Sequence, residues 1–544
     1  MVKRHTGERR AFRGPGRSKG FRLAIGIVMA AAAAMALACA GPAAAQPVVA
    51  PVINNILPGQ GPVGTPVLIT GENFGVSAPL SKVTFNGVTA TTTVWTSTFI
   101  TTSVPEGATT GPVVVTVLGL FQSNAVDFEV TGTPTPVLQT WYLTEGSTAW
   151  GFETFILIEN TADVDATVGV VYNTQQFGRI PRVLPITVAP SSRVTLRVND
   201  DITNVDVSTV LTSSQPIVAE RSVYWNNRIE GTDSIGVTAP STTWHLAEGC
   251  TAHGFDTWVL VQNPQIVPAT IDITYMTSKG VVQKQPFTLG AGQRASVQAV
   301  KDVGACDVST TVESNLPVVC ERAMYWDGRR GGHDSIGVTE GSKKWYLAEG
   351  TTAWGFETWL LIANPTDKTA NVDVTYMTSS GPVVEPRFQM SPLSRKTILV
   401  NDTVSNMDTS IEVLSNRAVI AERAMYWNNG TGKAGHDTVG LPAPARSVFL
   451  AEGSTAWGFD TYLCVQNPGD EAAQVAVVYM TGQGAAAGPN LLVPPKSRVT
   501  VYVNDDVSNM DVSMKVFSAT PVMAERAMYW NARGGGHVSI GFAE

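Results

Sequence analysis

"AEGSTAWGFDTY" runs from Ala451 to Tyr462, and close versions stand at Thr144–Phe155 ("TEGSTAWGFETF"), Ala247–Trp258 ("AEGCTAHGFDTW") and Ala348–Trp359 ("AEGTTAWGFETW"). A catalytic site is needed once, whereas a building block is copied as often as the architecture requires. Aligned on Trp141, Trp244, Trp345 and Val448, the chain divides into four units whose starts lie 103, 101 and 103 residues apart. The boundaries that follow are repeat 1 at 141–240, repeat 2 at 241–341, repeat 3 at 342–444 and repeat 4 at 445–544. A period of about 20–50 residues would mean a solenoid or propeller; this one is long enough for each copy to own a core.

Within repeat 1 the segments "WYLTE", "ETFILIEN", "ATVGVVYN", "VLPITVA", "RVTLRVN", "VSTVLTS" and "PIVAERSVYW" read as strands, and no stretch carries a sustained helical period. About 100 residues with seven strands predicts a β-sandwich. The expected fold class is therefore all-β, with tandem β-sandwich domains arranged as beads on a string, each melting by itself.

Ahead of the repeats, residues 51–130 switch to short β-branched runs broken by Gly, Pro and Asn. Asn86-Gly87 marks a tight hairpin, because both positions tolerate positive φ. "PVINNILPGQGPVGTPVLITGENFG", "VTFNGVTA", Trp95, "VPEGATTGPVVVTV" and "SNAVDFEV" together resemble an IPT/TIG domain over its full length. The resemblance implies an immunoglobulin-like sandwich of the kind found in bacterial surface proteins, some sugar-active enzymes, plexin-type receptors and certain transcription factors. It implies a fold and no particular activity. "TGTPTPVLQT" (131–140) reads as a stiff Pro/Thr linker.

Residues 1–45 have the layout of a secretory signal peptide: a basic head, an apolar run from Leu23 to Ala38, and cleavage expected after Ala45, leaving 46–50 as a short tail. Arg9-Arg10 leaves the export route open between general secretion and twin-arginine transport. Of 37 Lys+Arg and 45 Asp+Glu, this leader holds eight and one, so the mature chain has a net charge near −15. That excess argues against nucleic acid or an anionic membrane as partner. No later segment is apolar enough to span a bilayer, so the expected location is secreted and cell-surface associated.

Differences among the copies show what each position tolerates. Phe152, Phe255, Phe356 and Phe459 never vary, nor does the Tyr-Trp pair Tyr224-Trp225, Tyr325-Trp326, Tyr426-Trp427, Tyr529-Trp530. These are expected in the core. Trp150, Trp354 and Trp457 share their position with His253, an exchange too costly for a buried site. These four are therefore placed at exposed loop tips, to pack on a neighbouring unit or to stack on a sugar ring.

Glu220-Arg221, Glu321-Arg322, Glu422-Arg423 and Glu525-Arg526 are expected to form structural ion pairs, with Glu145 as the candidate partner of Arg221 and Arg193 of Glu220. Cys306 and Cys320 flank an expected hairpin and could form a disulfide. Their counterparts in repeat 1 are Val205 and Ala219, so the fold cannot depend on it.

"VNDDITNVDVS" (198–208) clusters hard oxygen ligands in a calcium-like way, but Val300, Lys301 and Thr403 break the pattern in other copies, so no metal is expected. His333-Asp334-Ser335 and His436-Asp437-Thr438 are consecutive and cannot converge as a triad. Neither enzyme activity nor a cofactor is expected. Two functions follow. One is a non-catalytic exported cell-envelope protein with a structural or adhesive role, contacting other surface proteins. The other is a multivalent array binding carbohydrate, such as cell-wall glycan, through the loop tryptophans.

Overall fold

The computed structural model describes residues 50–75, 80–131, 139–430 and 432–543. The expected leader, most of the short tail and residues 132–138 of the linker lie outside the described residues.

Residues 50–131 form two facing sheets. One orders Val52–Leu57, Pro66–Glu72, Phe99–Ser103 and Thr92–Trp95; the other is built on Gly111–Val117 flanked by Lys82–Phe85 and Val126–Val130. Val83, Phe85, Val113, Val115 and Phe128 face inward, with Phe85 edge-on to Phe128 at 5.2 Å. Asn86 (φ 43°) and Gly87 (φ 87°) turn the hairpin between Lys82–Phe85 and Val88–Ala90.

Each repeat is also a two-sheet sandwich. In repeat 1, Gln139–Leu143, Val207–Ser213, Ala166–Thr174 and Gly178–Pro181 make one sheet. Arg193–Arg197, Glu153–Asn160, Ile217–Trp225 and Glu230–Ile235 make the other. The first strand starts inside the stretch read as linker. Trp141, Tyr172 and their equivalents fill the space between the sheets, as period-2 alternation demands. Asn160 ties the loops by donating to Val164 O, Val188 O and Ala189 O at 2.8–3.0 Å, and Asn263, Asn364 and Asn467 repeat the device.

In repeats 2 to 4 one continuous strand, Val308–Trp326, Thr409–Asn428 or Val512–Trp530, passes from the first sheet into the second. This overturns the proposed disulfide. Cys306 and Cys320 do not flank a hairpin; an extended segment separates them, about 45 Å of contour for 14 residues. Both are free thiols, as are Cys250 and Cys464.

The sandwiches are not beads on a string. Glu230–Ile235, Gly331–Ile336, Lys433–Val439 and Gly535–Ile540 meet around a common axis, each beside its neighbours, with the strand of repeat 4 against that of repeat 1. The first of these strands is buried at all six positions although it reads "EGTDSI". Trp225 Nε1 donates to Arg329 O (2.7 Å), Trp326 to Lys433 O (2.6 Å), Trp427 to Arg533 O (2.8 Å) and Trp530 to Ile229 O (3.0 Å). The last bond returns to the first repeat. Four head-to-tail contacts whose rotation closes make a ring. The joints between units are too short to hold the copies apart, and each unit has a large face that is buried only by its neighbour.

The N-terminal sandwich docks on repeat 4. Leu68, Val94 and Phe99 pack against Ala476 and Val478, with Phe517 and Ala485 alongside. Where repeat 4 has Ala476, Val478 and Phe517, repeat 2 has Asp272, Thr274 and Glu313 on the corresponding strands. The covered copy leaves that face apolar, whereas repeat 2 carries charge there.

Candidate functional site

The phrase that opens each repeat is the seam of the ring. Thr144 N–H donates to Glu321 Oε1 (2.7 Å), Ala247 to Glu422 (2.6 Å), Ala348 to Glu525 (2.6 Å) and Ala451 to Glu220 (2.6 Å). The second oxygen of each carboxylate takes an arginine from the preceding repeat. Arg221 reaches Glu321 (2.8 Å), Arg322 reaches Glu422 (3.0 Å), Arg423 reaches Glu525 (2.6 Å) and Arg526 reaches Glu220 (2.6 Å). Adjacent residues in a strand diverge, so each Glu looks back one repeat and each Arg looks forward. The partners named from sequence are corrected accordingly. Arg221 binds Glu321 and Asp334, and Glu220 binds Arg526. Arg193 instead lies 3.9 Å from Glu452, and Arg294 lies 3.6 Å from Glu145. Charges this deeply buried must be paired across the seam, which a single-repeat reading cannot see.

Asp437 and Asp233 add second carboxylates to Arg322 and Arg526, each at 2.7 Å. Repeat 4 has Val538 at that place, and Arg423 turns to Glu349 (3.3 Å) instead. His333, His436 and His537 sit beside the axis at 2.9–3.1 Å from the hydroxyls of Tyr426, Tyr529 and Tyr224. Burial, then neighbouring arginines, hold these imidazoles well below their usual range. Burial pushes Asp233, Asp334, Asp437 and Glu452 up, and Glu248 up to about 8.

The two groups oppose each other. The depressed histidines contribute stability that is present above their unfolded value of about 6.5 and lost as pH falls. The raised carboxyls contribute stability that is full below about 4 and lost as pH rises through the folded values. Between about pH 6.5 and 8 only the second effect operates, so Tm should fall across that window. Glu248→Gln should flatten that fall, recovering clearly more stability at pH 8.5 than at pH 5.5. A Tm that climbs from pH 6.5 to 8.5 in the parent protein would contradict this assignment.

The same phrase lines a cleft at three of the seams. Trp150 (φ 52°) precedes Gly151 (φ 84°) in a tight turn, and His253, Trp354 and Trp457 take the same left-handed conformation at 55°, 53° and 52°. A bulky residue there costs of the order of 1 kcal/mol. Asn199 clamps the turn, accepting from Thr154 N–H and donating to Phe152 O, both at 2.9 Å; Asn401 and Asn504 do the same. The calcium-like stretch is thus a loop clamp, with Asp201 taken by Tyr172 Oη (2.6 Å) and Arg182 (2.8 Å). Among the described residues, no cluster of three or more His, Cys, Asp or Glu is placed to hold a metal ion.

The indoles are 70%, 67% and 78% exposed at Trp150, Trp354 and Trp457. Each lines a cleft shared with the following repeat. Trp150 faces Tyr325 and Arg329 in a cleft of about 110 Å³, and Trp354 faces Tyr529 and Arg533 in one of about 230 Å³. Trp457 faces Tyr224, Asn227 and Arg228 of repeat 1 in one of about 400 Å³. Repeat 3, which follows the repeat carrying His253, has Gly430 where the other copies carry the arginine. The tryptophan and the arginine come and go together. Reading across units at a lag of one repeat would have shown this pairing, whereas reading each copy alone hides it.

Residues 51–130 are an IPT/TIG domain. Among curated proteins, none matches the chain. Thermotoga maritima 1070 is 23% identical over 19% of this chain and 94% of its own, with a TM-score of 0.18. The Anabaena sensory rhodopsin transducer is 24% identical over 15% and 95%, with a TM-score of 0.14. SGBP-B from a complex xyloglucan utilization locus in Bacteroides uniformis is 12% identical over 51% and 98%, with a TM-score of 0.14. At such scores they assign no function.

Proposed function

We propose that this is a non-catalytic, exported surface protein that binds glycan in the clefts between the repeats of its ring. One observation carries the reading: large, solvent-exposed indoles are kept at a conformationally costly turn, at the mouth of a cleft, in three of four copies. A flat apolar face ringed by amide, carboxylate and hydroxyl groups matches a pyranose, which has an apolar C–H face and a hydroxyl rim. The signal-peptide layout of the leader supports export, and no helix among the described residues is long and apolar enough to cross a membrane. The IPT/TIG domain, docked on repeat 4, acts as a rigid spacer.

The test is retention on insoluble peptidoglycan and on plant and bacterial polysaccharides. Trp150→Ala/Trp354→Ala/Trp457→Ala should lose about tenfold or more in apparent affinity, because the exposed stacking faces are gone. Equal retention of parent and variant removes the reading.

A further inference from the structure

Three of the clefts contain an arginine third in sequence after the conserved tryptophan of the following repeat: Arg228, Arg329 and Arg533. Each has two destinations, the indole of the preceding repeat or the acid beside its own repeat's phenylalanine. In repeat 2 that acid is Asp256, already taken by Gln298 Nε2 (3.0 and 2.9 Å) and Trp258 Nε1 (3.0 Å). Arg329 accordingly lies 5.8 Å from the Trp150 ring and 5.9 Å from Phe152. In repeat 4 the acid is Asp460, taken by Tyr502 Oη (2.6 Å), and Arg533 lies 5.7 Å from Trp354.

Repeat 1 differs by one methylene. Glu153 reaches both Arg197 (2.7 Å) and Arg228 Nε, and Arg228 stays over Phe155 of its own repeat at 5.4 Å. Among the described residues no cation lies over Trp457. The cleft volumes follow the same order, about 110 and 230 Å³ where the arginine crosses the seam and about 400 Å³ where it does not.

We infer that Glu153 makes the seam between repeats 4 and 1 the principal ligand site, by holding Arg228 off the Trp457 indole. This deepens the glycan reading and rests on it. The ligand class is an uncharged pyranose within an oligosaccharide. Trp457 supplies the stacking face, while Asn227, Asn531 and Ser454 line the cleft with hydrogen-bonding groups. The charges there are matched, Arg193 lying 4.0 Å from Asp511, so no net charge is asked of the ligand. Arg329 and Arg533 occupy in the other clefts the space a sugar would need.

Two readouts separate this inference from the reading beneath it. The first is limited N-bromosuccinimide oxidation of the intact protein, followed by peptide mass spectrometry. Trp457 should react faster than Trp150 or Trp354. Glu153→Gln should slow it by about fivefold, the worth of one exposed cation–π contact. Glu153→Gln/Arg228→Ala should restore the parent rate, which mere local damage would not. Equal rates at the three indoles, unmoved by Glu153→Gln, overturn the inference whether or not sugar binds.

The second is calorimetric titration with cellotetraose and with chitotetraose. One site per chain is expected, lost in Trp457→Ala and kept in Trp150→Ala, with a second site gained in Arg329→Ala. Three equivalent sites overturn the inference and leave the glycan reading intact. No binding of either tetrasaccharide, with the oxidation pattern as expected, overturns the glycan reading and the ligand class, while Glu153's hold on Arg228 stands.

Discussion

Arg322→Met is expected to lower the melting temperature of the whole ring in one transition. The guanidinium lies 3.0 Å from Glu422 and 2.7 Å from Asp437, both fully buried in repeat 3. Removing the cation leaves two carboxyls in a low dielectric with no counter-charge, a loss of about 3–5 kcal/mol. Because Asp437 is already pushed towards its neutral form, the loss should be smaller at pH 5.5 than at pH 8. Arg322→Met/Glu422→Gln/Asp437→Val should recover most of it, since apolar replacement of a whole buried cluster is often neutral. Val538 shows that the Asp437 position accepts valine.

Phe356→Ala should behave alike. That ring packs at a tilt against Trp427 of its own repeat at 4.9 Å and meets Tyr529 of the next at 5.9 Å, so about 3–5 kcal/mol is lost from a shared cluster. Calorimetry showing one quarter of the repeat enthalpy lost, with the rest melting unchanged, would sink the cooperative ring.

Ending the chain after Leu441 is expected to abolish the folded monomer. Without repeat 4, Glu220 and Asp233 lose Arg526, Arg423 loses Glu525, and Trp427 loses its acceptor on Arg533. Several orphaned buried charges at about 3–5 kcal/mol each exceed the roughly 5–15 kcal/mol that holds an ordinary domain. Two complementary faces would also stand open, inviting self-association. Size-exclusion chromatography should show aggregates or oligomers in place of a monomer. Deleting residues 51–131 is the control: it uncovers Val478 and Phe517 but leaves every seam intact, so the ring should still melt as a unit. A three-repeat monomer melting near the parent temperature would refute closure.

Much of the candidate site was legible because the copies differ where chemistry allows. His253 in a tryptophan position predicted exposure, and Trp150, Trp354 and Trp457 are exposed. The tandem sandwiches were legible for the same reason that any amphipathic strand is: one face alternates apolar, as in "ATVGVVYN". What escaped was the strand at the axis. "EGTDSI" and "GGHDSI" have no apolar period, and they stand outside the strands expected from sequence. Their side chains are buried by arginines and tyrosines of other repeats, so no local pattern records the burial.

The sequence by itself determined the number of units, their all-β character, the N-terminal IPT/TIG domain and the exposed aromatic tips, because these follow from periodicity, turn chemistry and substitution within one copy. Only the tertiary structure decided that the units close into a ring, that Arg221 answers to Glu321 and Arg526 to Glu220, and that Glu153 keeps Arg228 at home. The reason is physical. A strand pattern records which face of a residue is dry, but not whose atoms keep it dry, and here those atoms come from 93 to 313 residues away.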